Sequence, residues 1–78
     1  MSHRECSIKY SNGEFYHGKC VIKGSMAQGE MAGSIIAPDG KEHTFFTYGS
    51  KNLFDNKKNL SRNPRCNKSI SVEICWED

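Results

Sequence analysis

The chain has no long apolar run, and this excludes one class of protein. Hydrophobic residues make up 36% of its 78 residues, and no run of them approaches the roughly 20 residues that a membrane-spanning helix needs. The first five residues are polar and contain no apolar segment of the signal-peptide kind. We therefore expect no membrane span, and we expect that an export signal has been removed and Met1 added for expression.

The apolar content is low for so short a chain, which makes covalent support necessary. Residues 1–78 have room for one domain, and a core of this size rarely supplies more than roughly 3–5 kcal/mol. Four cysteines are present, Cys6, Cys20, Cys66 and Cys75, and none belongs to a C-x-x-C pair. An even count without that pair favours two disulfides. A zinc site and free thiols are the alternatives, and disulfides would indicate an oxidising compartment.

The sequence also lacks recognisable catalytic motifs. No G-x-S-x-G is present, and His17 has no serine or cysteine at a diagnostic spacing. The acidic residues mostly flank turns, and the glycine-rich stretch 24–29 lacks the lysine and the helix of a phosphate loop. We predict no enzymatic activity, no cofactor and no metal, and we interpret 24–29 as a flexible loop.

Alternating side chains predict an N-terminal hairpin that follows a flexible stretch at residues 1–4. Cys6, Ile8 and Tyr10 have strand periodicity, and Asn12-Gly13 is a strong hairpin signal. A two-residue turn there places Cys6 opposite Lys19. One extra residue would set Cys6 opposite Cys20, so a disulfide between them closes a short loop and contributes about 3 kcal/mol.

The remaining elements complete a mainly β fold. Strands at 30–37 and 43–48 flank the turn Pro38-Asp39-Gly40, and Ser50 could cap a short helix at roughly 51–58. The last strand places four apolar side chains in the core: Ile70, Val72, Ile74 and Trp76. Cys66 can reach back to Cys75, although the other pairings stay open. We expect a small antiparallel barrel or sandwich of about five strands, with at most one short helix and two disulfides.

Positive charge is concentrated in residues 51–68, although the whole chain carries only +2. Six cations lie there with only Asp55 to oppose them: Lys51, Lys57, Lys58, Arg62, Arg65 and Lys68. These residues are the candidate contacts to an acidic protein or an anionic envelope component. The neighbouring aromatic residues 45, 46 and 48 permit a second interpretation, in which bases stack on rings and phosphates meet lysines. An exposed sheet edge also suggests a homodimer.

The two ends of the chain resemble small exported four-cysteine bacterial proteins of uncharacterised function. The opening frame runs Cys6, Asn12-Gly13, Tyr16 and Gly18-x-Cys20, and the closing frame has Ser61-Arg62, Cys66 and Ile74-Cys75. The middle is unmatched, and Asn67 stands where such proteins carry tryptophan. The resemblance implies a periplasmic or secreted β-domain and assigns no activity.

These observations predict an exported binding module without catalytic activity, either an inhibitor or a binder of an envelope or host protein. The alternative is a cytosolic nucleic-acid-binding β-barrel that uses residues 51–68. A small enzyme is a third hypothesis, for which the sequence offers no catalytic residues.

Overall fold

Eight antiparallel strands form one curled sheet in the computed structural model, which describes residues 2–77. The strands are β1 (Ser2–Tyr10), β2 (Phe15–Ala27), β3 (Glu30–Ile36), β4 (Glu42–Tyr48), β5 (Lys51–Phe54), β6 (Lys57–Lys58), β7 (Cys66–Lys68) and β8 (Val72–Trp76). Their order across the sheet is β6-β5-β4-β3-β2-β1-β8-β7. The mainly β prediction is confirmed, and the count of about five strands is wrong.

No part of residues 2–77 is helical, and accordingly no helix there could cross a membrane. The helix expected at roughly 51–58 is replaced by the hairpin of β5 and β6. Its turn residues Asp55 and Asn56 have positive φ angles of 54° and 64°. Consecutive residues in this conformation make a tight hairpin turn and interrupt a helix. The Asp55 carboxylate holds the turn by accepting from the Thr44 amide at 3.0 Å.

The stretch 24–29, interpreted from the sequence as a flexible loop, is mostly strand. β2 continues to Ala27, and only Gln28 and Gly29 form the turn, with φ angles of 55° and 79°. Residues 2–4, expected to be a flexible terminus, belong to β1 and pair with residues 20–22 of β2. Met1 lies outside the described residues.

The first disulfide joins neighbouring strands diagonally. The turn after Tyr10 has three residues, because the Tyr10 amide donates to the Glu14 carbonyl at 2.9 Å. Cys6 therefore lies opposite Gly18, and its disulfide partner Cys20 lies one pleat further along β2, with a Cα–Cα distance of 5.9 Å. The pairing that the sequence favours is present, but the expected direct opposition of the two cysteines is wrong.

The second disulfide joins Cys66 and Cys75, which are direct partners between β7 and β8. Their Cα atoms lie 4.1 Å apart. This is also the pairing favoured by the sequence, and no cysteine is left free. The disulfide fastens the three-residue strand β7, which the sequence presents only as a connection.

The core fills the concave side of the sheet, where alternate side chains of the long strands meet. Its fully buried members are Cys6, Ile8, Cys20, Ile35, Phe54 and Ile74. Val72 and Ile74 of β8 enter the core as predicted, whereas Ile70 is 78% exposed. Ile70 lies in a bend before β8 begins, so the strand alternation that would turn it inward does not reach it.

A pair of glycines makes room for an aromatic ring on the concave face. Gly24 of β2 and Gly33 of β3 are register partners, and Gly33 also pairs with Phe45 of β4. A Cβ atom on Gly33 would lie 2.8 Å from Phe45 Cζ and 2.6 Å from Gly24 Cα. The Phe45 ring therefore rests against bare backbone, which explains why both positions lack a side chain.

Asn59 connects the two edges of the curled sheet. It follows β6, and its amide donates to the Asn52 carbonyl of β5 at 2.9 Å. Its side-chain Nδ2 donates to Asn67 Oδ1 at 2.9 Å, and its Oδ1 accepts from the Lys68 amide at 3.0 Å. The Leu60 amide adds a bond to the Lys68 carbonyl at 2.9 Å. The contact between the edge strands β6 and β7 is thus made by one asparagine and its neighbour.

Candidate functional site

A cleft of about 510 Å³ opens at one end of the concave face. Its floor is apolar and consists of Ile22, Met31, Phe45 and Trp76, which come from β2, β3, β4 and β8. The alternation of each strand directs these side chains inward, beyond the point where the core is fully packed. The cleft therefore offers apolar surface to a ligand.

Two arginines lie at this cleft. Arg4 of β1 places its guanidinium carbon 5.5 Å from the centre of the Trp76 ring, a cation–π contact. Arg62 belongs to the loop of residues 59–65, which forms one wall and is called the wall loop below. The sequence-based candidates include Arg62 and omit Arg4. The pairing of β1 with β8, in which Cys6 lies opposite Trp76, brings Arg4 beside the Trp76 ring.

Hydrogen bonds within the wall loop hold its shape. The Ser61 hydroxyl donates to the Asn63 carbonyl at 2.9 Å, and the Asn63 amide lies 3.1 Å from the same hydroxyl oxygen. Asn63 Oδ1 accepts from the Arg65 amide at 2.9 Å. The loop then enters β7 at Cys66, where the disulfide secures it. Arg62 is thus presented from a braced segment at the rim.

Amide groups supply most of the remaining polar lining, and Thr47 and Ser61 add hydroxyl groups. Four asparagines line the cleft: Asn52, Asn59, Asn63 and Asn67. The lining residues within 2–77 include no aspartate, glutamate or histidine. Among the described residues, the site therefore combines an apolar floor with two cationic side chains and neutral polar groups.

A second cavity of about 320 Å³ adjoins the cleft and is called the side cavity below. It shares Ile22, Met31 and Phe45 with the cleft and extends to Gly24 and Met26 at the outer end of β2. Met26 is 73% exposed there. The two cavities are thus neighbours on the concave face.

The other predicted cations lie outside the cleft. Lys51, Lys57, Lys58, Arg65 and Lys68 are exposed and do not line it. Register places some of them beside apolar residues of the convex face, where Tyr48 lies opposite Lys51, and Leu53 lies between Phe46 and Lys58. We call Phe46, Tyr48, Lys51, Leu53 and Lys58 the convex patch.

Two histidine–carboxylate pairs lie apart from the cleft. His17 Nε2 and Glu77 Oε2 are 2.5 Å apart on the surface, and this hydrogen bond and the adjacent charge raise the pKa of His17. His43 is buried, stacks on Phe54 and bonds through Nδ1 to Asp55 at 2.8 Å. Neither histidine belongs to the cleft lining.

One group of potential metal ligands occurs in the described part of the chain. It consists of Cys66, Glu73 and Cys75, whose ligand atoms lie within 4.8 Å of one another. The two sulfurs are joined in a disulfide and therefore carry no thiolate, the form that binds metal. This arrangement belongs to the β7–β8 staple.

Sequence and fold comparisons identify no relative from which a site could be transferred. No model of a known family matches the chain, and neither curated proteins nor solved structures show a match.

Proposed function

We propose that this protein is an exported, non-catalytic binding module whose cleft holds a segment of a partner protein, either to inhibit that partner or to anchor to it. The observation that carries the proposal is the meeting of an apolar floor with Arg4 and Arg62, where the lining within residues 2–77 includes no carboxylate. The segment that fits this chemistry is an aromatic or aliphatic side chain flanked by carboxylates. Guanidinium groups bind carboxylates with two parallel hydrogen bonds.

The volume of the cleft suits a short segment of a partner protein and not an extended protein surface. A volume of about 510 Å³ lies within the range of small-ligand sites and accommodates a few side chains. The braced wall loop reduces the ordering cost of binding, because the backbone on both sides of Arg62 is already fixed by hydrogen bonds. We therefore expect specific binding of modest affinity to a short acidic peptide.

Trp76 provides the measurement, since it is the only tryptophan of the chain and lies in the cleft floor. The probe is a peptide with one phenylalanine among aspartates and glutamates, and the control is its lysine-substituted counterpart. We expect saturable change of the Trp76 fluorescence with the acidic peptide alone. Arg62→Glu should weaken this binding about tenfold, the effect of losing one charge-assisted contact.

Lys51→Glu is the matched control, because it makes the same charge change at an exposed residue outside the cleft. It should leave peptide binding within about twofold, since exposed charges are screened by salt. Equal weakening by both variants would show that general charge attraction, and not the cleft, governs binding. Absence of binding to the acidic peptide would reject the proposal.

The convex patch supports a second candidate function, the binding of single-stranded nucleic acid. Tyr48 is 55% exposed beside Lys51, and Phe46 lies in the same patch, so bases could stack while lysines contact phosphates. This function predicts salt-dependent binding of an oligonucleotide that Lys51→Glu weakens and Arg62→Glu leaves nearly unchanged. The two variants thus separate the two functions.

Export is a separate part of the proposal and has its own test. Both disulfides are consistent with a location outside the cytosol. Non-reducing mass spectrometry of the protein taken from its native compartment should find two disulfides. Four free thiols in that material would reject a periplasmic or secreted location.

A further inference from the structure

Within residues 2–77, the outer end of β2 has a strand on one side only. Residues 23–27, called the β2 arm below, pair with residues 30–34 of β3. On the other side, the pairing with β1 ends where Ser2 lies opposite Ile22. Within the described chain, no strand accompanies the arm along this edge.

The register identifies which backbone groups face the open edge. The Tyr10 amide bonds to the Glu14 carbonyl, so the even-numbered residues of β2 direct their N–H and C=O groups toward β1. Continuation of this alternation points the groups of Gly24 and Met26 outward from the arm. The odd-numbered residues 23, 25 and 27 direct theirs to β3.

This edge lacks most of the features that prevent strand pairing. Proteins protect edges with proline, bulges, charges or very short strands. The arm contains no proline, its register with β3 has no interruption, and Lys23 is its only charge. By contrast, the sheet's terminal strands β6 and β7 are only two and three residues long.

We propose that the β2 arm pairs antiparallel with the β2 arm of a second copy of this chain, about a two-fold axis at Ser25. A two-fold axis perpendicular to the sheet requires that opposed residues share a face. Centring at Ser25 places Gly24 of each copy opposite Met26 of the other. All the outward backbone groups of both residues then find partners, which centring at Gly24 or Met26 does not achieve.

The side chains of the arm are complementary in this arrangement. Met26 of one copy lies beside Gly24 of the other, which has no side chain and lines the side cavity of about 320 Å³ together with Phe45. The second copy thereby adds an apolar side chain next to this cavity. This pairing goes beyond the proposed binding function and does not depend on it.

The charges of the arm agree with the same register. Lys23 of one copy lies opposite Ala27 of the other, and Ala27 is the register partner of Glu30. Because Ala27 is small, the Lys23 side chain can cross it toward the partner copy's Glu30. Within one chain these two charges are separated by the length of the arm, so their attraction would arise only between copies.

Sedimentation and amide exchange of the full chain test the proposal. The mass should rise with protein concentration from 8.8 kDa toward twice that value. The amides of Gly24 and Met26 should become protected as it rises, while that of Ser25 is protected throughout. Met26→Pro removes an outward N–H, breaks no bond to β3 and should weaken association about tenfold.

A charge exchange provides a control that does not involve proline. Lys23→Glu and Glu30→Lys should each weaken association, and the double variant should restore it. A single mass of 8.8 kDa at every concentration would overturn the proposal. So would association unaffected by these variants, which would indicate another interface, or Gly24 and Met26 amides protected in the monomer, which would indicate that the chain covers its own edge.

Discussion

Tyr10 and Tyr16 lie edge to face with ring centres 6.2 Å apart, but their hydroxyl groups have different surroundings. Tyr10 is half-buried and donates to Asp39, and burial followed by this hydrogen bond raises its pKa. Tyr16 is exposed and donates to Glu14 at 2.8 Å, which also raises its pKa. Burial alone would raise the pKa of Asp39. The hydrogen bonds from Tyr10 and from the Lys41 amide lower it by more than burial raises it, so the pKa of Asp39 lies below its usual value.

Removal of the Tyr10 hydroxyl should therefore be costly. Tyr10→Phe leaves the partly buried Asp39 carboxylate without its donor and should lower the free energy of unfolding by about 1–2 kcal/mol, measured in urea. Because the folded pKa of Asp39 is depressed, this contribution is present above the unfolded pKa of about 3.9 and disappears as pH falls through the folded value. Tyr16→Phe, the exposed control, should change stability little. Equal losses for both would contradict this account.

The pair of His17 and Glu77 predicts a titration that proton NMR can follow. The pKa of His17 should lie above the usual value of about 6.5 and return toward it in Glu77→Gln. Glu73→Gln removes another carboxylate of the same C-terminal region and should leave it unchanged. Since the folded pKa is raised, any stabilisation is complete below the unfolded pKa and lost as pH rises through the folded one. An unchanged pKa in Glu77→Gln would exclude this hydrogen bond in solution.

At the scale of the elements, what could be predicted depended on strand length. The alternation of Cys6, Ile8 and Tyr10 extends over enough residues to identify β1. β6 has two residues and β7 three, too few for any periodicity. The helix expected at roughly 51–58 failed because spacing alone does not reveal the conformation of Asp55-Asn56, which long-range bonds to β4 hold in place.

The contact between β6 and β7, called the Asn59 seam, depends on Asn59 more than on any other side chain described above. Substitution of Asn59 should therefore weaken this seam most. Asn59→Ala removes the acceptor of the Lys68 and Ser61 amides, both bonded at 3.0 Å, and should cost about 2 kcal/mol. Exchange of these amides should accelerate more than that of core amides. Asn59→Asp keeps an acceptor oxygen and should cost less. Equal losses in both variants would show that the Nδ2 bond to Asn67, which neither variant keeps, holds the seam and that the acceptor oxygen contributes little.

At the scale of the molecule, low apolar content and the cysteine count predicted the two disulfides, and alternating side chains with turn signals predicted the β-domain. The cleft could not be predicted, because it requires Ile22, Phe45 and Trp76 to meet from three strands distant in sequence. Arg4 is the clearest case. Its role follows from the pairing of the first and last strands, which no local pattern encodes.

Loss of either disulfide should have a different result, although each contributes about 3 kcal/mol to the free energy of unfolding by restricting the unfolded chain. Cys6 and Cys20 are fully buried, so replacing both by alanine also leaves a cavity and should prevent stable folding. Replacing Cys66 and Cys75 releases the wall loop and should preserve the fold while weakening peptide binding. Thermal unfolding and Trp76 fluorescence measure the two outcomes. Unchanged peptide binding in the variant without Cys66 and Cys75 would show that the wall loop does not contribute to the binding site.

The Asn59 seam also has a dynamic consequence. Elsewhere the sheet is joined by continuous backbone ladders, but between β6 and β7 an amide side chain acts as a clasp. Releasing it breaks a few bonds and leaves the other strand pairs intact, so we expect an open form well below the energy of global unfolding. In that form we expect the wall loop, which carries Arg62, to move away from the cleft. Ligands too bulky for the closed cleft would then bind only to the open form. At high ligand concentration their rate of binding would reach a limit equal to the rate of opening, and more ligand would not increase it.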